Sequence, residues 1–158
     1  MSDLLERFGP VAAAACMVAA LYFFRTDLTN AAASKSFDLS NVYSSVFDWS
    51  SIQTGFVFGI FGFVAGKSGG FIEAIRETRE MALFLTYTKR AIYLGFCLTF
   101  SSIAMSITSF NIDAEASWRF HVFAAWSFLS LWGFLAFLRV AYIFGDILRV
   151  RDRHRIPG

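Results

Sequence analysis

Four apolar stretches separated by polar connections dominate the pattern of the chain: residues 8–24, 49–66, 91–110 and 118–144. Each is close to the roughly 20 residues that cross a hydrocarbon core of about 30 Å as a helix. The first is short alone; Leu4 and Leu5 extend it, with Ser2 or Asp3 as N-cap. The pattern predicts an all-α polytopic integral membrane protein, a four-transmembrane-helix bundle forming one domain over residues 1–158. The first stretch reads as a retained span and not as a cleaved leader. Asp3 and Glu6 offset Arg7 ahead of it, and the A-x-A of residues 31–33 follows a segment carrying Arg25 and Asp27.

The connections carry patterns of their own. Leu39, Val42, Tyr43, Val46 and Phe47 recur at i, i+3, i+4, i+7 and i+8, which predicts a short amphipathic helix on the outer surface leading into the second span. After the helix-breaking GKSGG of residues 66–70, residues 71–90 read as helix, and nothing separates them from the third span. A continuous helix over 71–110 would be about 60 Å long, and about 30 Å of it would extend into the cytoplasm.

Composition sharpens the class. Of 158 residues, 56% are hydrophobic and only 16% charged, where a soluble domain carries about a quarter. Twenty are Phe, two are Pro, and mean hydropathy is +0.54. That excludes a disordered chain, a coiled coil and a nucleic-acid binder, and it argues against a soluble domain, whose surface so few polar residues would not clothe. Cys16 and Cys97 lie in apolar runs and read as small core residues.

Charge sets the orientation. The second connection carries Lys67, Arg76, Arg79, Lys89 and Arg90, and the tail over 146–158 carries Arg149, Arg151, Arg153 and Arg155. The connection over 111–117 carries no Lys or Arg. By the positive-inside rule the basic parts face the cytoplasm, so four spans put both termini inside. The expected location is a bacterial inner membrane. Trp49, Trp118, Tyr22 and Tyr93 fall near span ends, as interfacial aromatics do.

Two stripes of small residues are the candidate working surfaces. Gly55, Gly59, Gly62 and Gly66 fall within roughly 60° of one another on the second span. Such a bare backbone face packs against another helix of the same chain, forms a subunit contact, or marks a hinge. On the third span, Thr88, Ala91, Gly95, Thr99, Ser102, Ser106 and Ser109 lie within an arc of roughly 80°. Its hydroxyls either bond back to their own helix and pack, or several copies face a shared axis and line a water-filled path.

Ionisable groups at membrane depth are functional candidates by default. The fourth span has His121 near its outer end and Arg139 near its inner end, on one side of the helix. Arg139 either snorkels to the inner headgroups or points into an inner vestibule and favours anions. No Asp or Glu lies in the core of any span, which argues against a proton- or cation-coupled carrier. Two histidines, His121 and His154, do not make a haem pair at membrane depth, and no nucleophile, metal or phosphate motif is present. No cofactor, metal or enzymatic activity is expected.

Two functions follow as expectations. One is a homo-oligomeric ion channel or pore-like membrane effector, with Gly95, Thr99, Ser102, Ser106 and Ser109 lining the path and the glycines packing between helices. The other is a non-catalytic anchor, sensor or scaffold that recruits a cytoplasmic protein. In that case the 71–90 helix, with Arg76 and Arg79, and the basic tail would meet the partner or anionic lipid.

Overall fold

The structure is a computed structural model, and it describes residues 2–34, 38–66, 78–112 and 117–153. Among these the chain forms five helices and no strand: α1 (Ser2–Phe23), α2 (Arg25–Ala33), α3 (Leu39–Gly66), α4 (Arg79–Ile107) and α5 (Ser117–Arg153). α3, α4 and α5 are each long and apolar enough to cross a membrane. α1 meets that test only together with α2, and the chain bends by 67° between them. Three of the four expected spans thus correspond to single helices long and apolar enough to cross a membrane, and the first corresponds to a helix that passes only with its bent neighbour.

The helix limits differ from the sequence expectation at three places. First, α3 absorbs the amphipathic segment. Leu39, Val42, Tyr43 and Val46 are its opening turns, not a separate surface helix, and Tyr43 is fully buried. Tyr43 shares one buried cluster with Ala32 of α2 and Phe120 and Phe123 of α5, and Leu28 of α2 packs against that cluster. Second, α4 does not continue from residue 71. Thr78 is extended (φ −75°, ψ 151°), and its hydroxyl accepts the Met81 N–H, so it caps a helix that starts at Arg79. Residues 67–77, including Arg76 and most of the GKSGG break, lie outside the described residues. Third, the longest helix is the last. α5 has 37 residues, about 55 Å, and carries Arg149, Arg151 and Arg153 within it.

α4 packs against both α3 and α5, and α1 lies on α5. The core has two parts. One, around Tyr43, Leu98, Phe120 and Trp126, sits where α3 and α5 begin. The other, around Val57, Ile60, Phe84 and Val140, sits where α4 begins. Aromatic rungs tie α3 to α5 along their length: Trp49–Phe134, Phe56–Phe137 and Phe63–Phe144, all edge-to-face with centroids 5.6 to 6.2 Å apart.

The outside is as apolar as the inside. Phe23 is 84% exposed, Ile107 78% and Tyr142 73%. Only 11% of the apolar window of α5 is buried within the chain. A soluble fold buries its most apolar helix; one surrounded by lipid has no reason to. Cys16 and Cys97 belong to this outer surface, which corrects their reading as core residues: both are exposed.

Candidate functional site

The hydroxyl stripe of α4 is an internal seam. Thr88, Ala91, Gly95 and Ser102 are all buried, and Ser102 has no exposed surface. α3 supplies a matching polar edge. The Ser50 hydroxyl lies 3.0 Å from that of Thr99 and 3.1 Å from its own Phe47 carbonyl. One turn on, Thr54 stands against Gly95 and donates to the Ser50 carbonyl at 2.6 Å. A side chain at Gly95 would meet Thr54 Oγ1 head-on and come within 3.2 Å of its Cβ. The two helices approach at that point because one of them has no side chain there.

Beyond Thr99 the stripe turns toward α5. Trp126 Nε1 donates to Ser102 Oγ at 3.0 Å, and the Trp126 ring stands edge-on to Tyr43, with centroids 4.9 Å apart. Ser106 lies 3.4 Å from the Ser44 hydroxyl of α3. Thr88 bonds back to the Phe84 carbonyl at 2.8 Å. Thr99, Ser102 and Ser106 spend their hydroxyls on contacts within the chain.

Ser109 leaves the stripe altogether. α4 stops at Ile107, three residues earlier than the sequence pattern predicts, and Ser109 has left-handed backbone with φ 45°. The Phe110 N–H bonds to the Met105 carbonyl at 2.9 Å and the Ser109 N–H to the Ser106 carbonyl at 3.1 Å. That pair of bonds is a Schellman terminus with serine where glycine is usual. A face drawn at 100° per residue does not extend past a helix end, so Ser109 does not share the face of α4 that carries Thr99, Ser102 and Ser106.

The glycine stripe behaves in the opposite way. Gly55, Gly59, Gly62 and Gly66 are exposed, and a Cβ added at any of them would meet nothing within 4 Å. These glycines pack no other helix among the described residues. Exposed Ile52, Phe56, Phe58 and Phe63 flank them, and a groove of about 400 Å³ between α3 and α4 runs beside Gly55.

Polar contacts hold the start and the middle of α5. At its start, Tyr22 hydrogen-bonds His121 Nδ1, and Arg25 donates to Ser117 Oγ at 3.1 Å while its guanidinium lies 5.2 Å from the Phe120 ring centroid. These contacts fasten the bend between α1 and α2 to α5, so His121 has a positioning role at the helix end. Further along, the Arg139 guanidinium sits 3.8 Å from the Tyr87 ring centroid, between α4 and α5. Arg79 is exposed at the start of α4. Arg155 lies outside the described residues.

Sequence reasoning missed the α3 side of the seam. Ser50 and Thr54 stand four residues apart, as do Gly95 and Thr99, and that matched spacing was the available signal. It also missed two buried polar atoms without a hydrogen-bond partner among the described residues, Tyr43 Oη and Gln53 Oε1. No group of three His, Cys, Asp or Glu among the described residues is placed to hold a metal. No family model, curated protein or solved structure matches the chain.

Proposed function

We propose that the chain is a four-span integral membrane protein of the non-catalytic anchor or scaffold kind. The bent α1–α2 pair counts as one span, and both ends and the 67–77 connection lie on the cytoplasmic side. In this reading it associates within the bilayer, with further copies or another membrane subunit, through the outward glycine face of α3. It presents Arg79 and the basic end of α5 to the cytoplasm, where they meet anionic lipid or a protein partner.

The contrast between the two stripes carries the reading. The polar stripe of α4 is occupied by α3 and α5, whereas the glycine stripe of α3 has backbone bare enough for close approach and no described residue against it. A channel lined by α4 would have to surrender the Ser50–Thr99 and Ser102–Trp126 contacts to turn that face toward an axis. Each buried group so freed costs about 1–3 kcal/mol.

The test is purification in mild detergent and reconstitution. The scaffold reading expects a discrete oligomer, no ion flux across vesicles from the purified protein alone, and terminal tags on one common face. Gated flux from the partner-free protein would reinstate the channel. Tags on opposite faces would overturn the four-span topology.

A further inference from the structure

We propose that the groove between α1 and α3 binds a neutral, flat-ringed lipophile of the quinone class, with the Ser127 hydroxyl donating to its carbonyl oxygen. The proposal rests on the membrane reading above and adds a ligand to it.

α1 and α3 both pack on α5. Between them lies a groove of about 400 Å³, lined by Met17 of α1, Trp49 of α3, and Trp126, Ser127, Ser130 and Phe134 of α5. Small-molecule sites fall in the range of about 300–1,000 Å³, occur between the helices of bundles, and combine apolar and aromatic walls with a few placed polar groups.

Ser127 is the placed polar group. It is 8% exposed, it lines the groove, and its hydroxyl makes no hydrogen bond among the described residues. The other buried serines and threonines among those residues, Thr29, Ser50, Thr54, Thr88 and Ser102, are all hydrogen-bonded. Ser130, in the same groove, donates to the Trp126 carbonyl at 2.9 Å. A hydroxyl held in apolar surroundings without a partner is costly, and a ligand that supplies an acceptor recovers that cost on binding.

Depth selects the ligand. Ser127 lies about 15 Å along α5 from Ser117, and Trp49 about 15 Å along α3 from Leu39. Both helices begin at the same end of the bundle, so the groove sits midway through a hydrocarbon core of about 30 Å. A phospholipid keeps its ester carbonyls at the headgroup boundary and offers only acyl chain at this depth. A charged ligand is expensive there. The partner of Ser127 is therefore a neutral molecule, soluble in hydrocarbon, that carries its own acceptor. Trp49, Trp126 and Phe134 suit a flat ring, which aromatic side chains engage offset or edge-on. The same bulky side chains hold a second helix off, since helix contacts in a bilayer use small residues, as on the glycine face of α3.

The experiment is equilibrium binding of duroquinone, a fully methylated benzoquinone, to the full chain in nanodiscs, with empty nanodiscs as background. Durene, the same methylated ring without the carbonyls, is the paired probe. The wild type should bind duroquinone saturably and about ten-fold more tightly than durene. Ser127→Ala should weaken duroquinone by about the same ten-fold and leave durene unchanged. Ser101→Ala, on α4 outside the groove, should change neither. Equal affinity for the two rings overturns the proposal and gives the groove to acyl chains. Saturable binding of neither ring overturns it and leaves the groove to a neighbouring helix. Undiminished duroquinone binding by the folded Ser127→Ala variant overturns it as well. Should the chain stay dissolved with no amphiphile, the membrane reading itself fails, and that is visible before any probe is added.

Discussion

Gly95 and Thr54 mark a close approach of α4 and α3. The Thr54 side chain occupies the space a β-carbon at residue 95 would need, and its hydroxyl is tied at 2.6 Å to the Ser50 carbonyl. It therefore has no cheap rotation out of the way. Gly95→Ala should force the helices apart and destabilise the bundle by about 1–3 kcal/mol, the usual range for overpacking. Gly145→Ala, on α5 and away from the proposed association face, is the internal control. Its added methyl meets open space, so its stability should stay within about 0.5 kcal/mol of wild type or rise slightly with helix propensity. Thermal unfolding in one detergent compares the two. Equal losses would mean that the two glycine environments are not different.

The Ser102–Trp126 bond should show the asymmetry of buried hydrogen bonds. Ser102→Ala leaves the indole N–H buried with no acceptor, at a cost of about 1–3 kcal/mol. Trp126→Phe should cost less on the hydroxyl side, since a helical serine can turn back to its own carbonyl one turn earlier. The doubly substituted protein should be more stable than the sum of the two losses predicts. A double-mutant cycle by denaturation reads the coupling, and strict additivity would remove the bond as a stabilising contact. The same geometry predicts that Ser102→Leu disrupts folding, because the side chain has no exposed surface into which to expand.

How far these features were legible in the sequence differs by feature, for physical reasons. Helical class and the presence of helices long and apolar enough to cross a membrane came through because runs of apolar residues near 20 have few other uses. Helix ends did not. Thr78 caps α4 with Met81 three residues on instead of the Glu or Gln of a capping box, so no signature marked the start. Ser109 ends α4 in left-handed backbone without the glycine that would announce it. The inward faces were legible only in part. Lipid is as apolar as a core, so periodicity alone does not tell which side of a helix meets its neighbour. The glycine stripe of α3 and the hydroxyl stripe of α4 looked equally suited to packing. What separates them is the partner edge formed by Ser50 and Thr54, which becomes visible only when two helices are read against each other in antiparallel register.

Ser109 itself offers a stabilising substitution. A non-glycine residue in left-handed backbone carries a penalty of about 1–2 kcal/mol. Ser109→Gly relieves it while keeping the two terminal hydrogen bonds, which use only backbone. The expected gain is about 1 kcal/mol, offset in part by the greater freedom of glycine in the unfolded chain. A higher unfolding temperature with unchanged helical content supports the assignment. A lower one would mean that the serine side chain stabilises the turn.

Gln53 provides the sharpest distinction between structure and function in the interior. Its side chain is 5% exposed, and Oε1 has no hydrogen-bond partner among the described residues. If the amide is only a buried liability, Gln53→Met keeps the shape of the side chain, removes the orphaned oxygen, and should raise stability by about 1–3 kcal/mol. A bound water or a conformational change that uses the amide predicts the reverse, since the substitution would then delete a working partner. Chemical denaturation of the two proteins in the same detergent decides the sign. A clear loss on Gln53→Met would identify Gln53 as a satisfied and functional group, and the inside of α3, not its glycine face, would become the place to look for what this protein does.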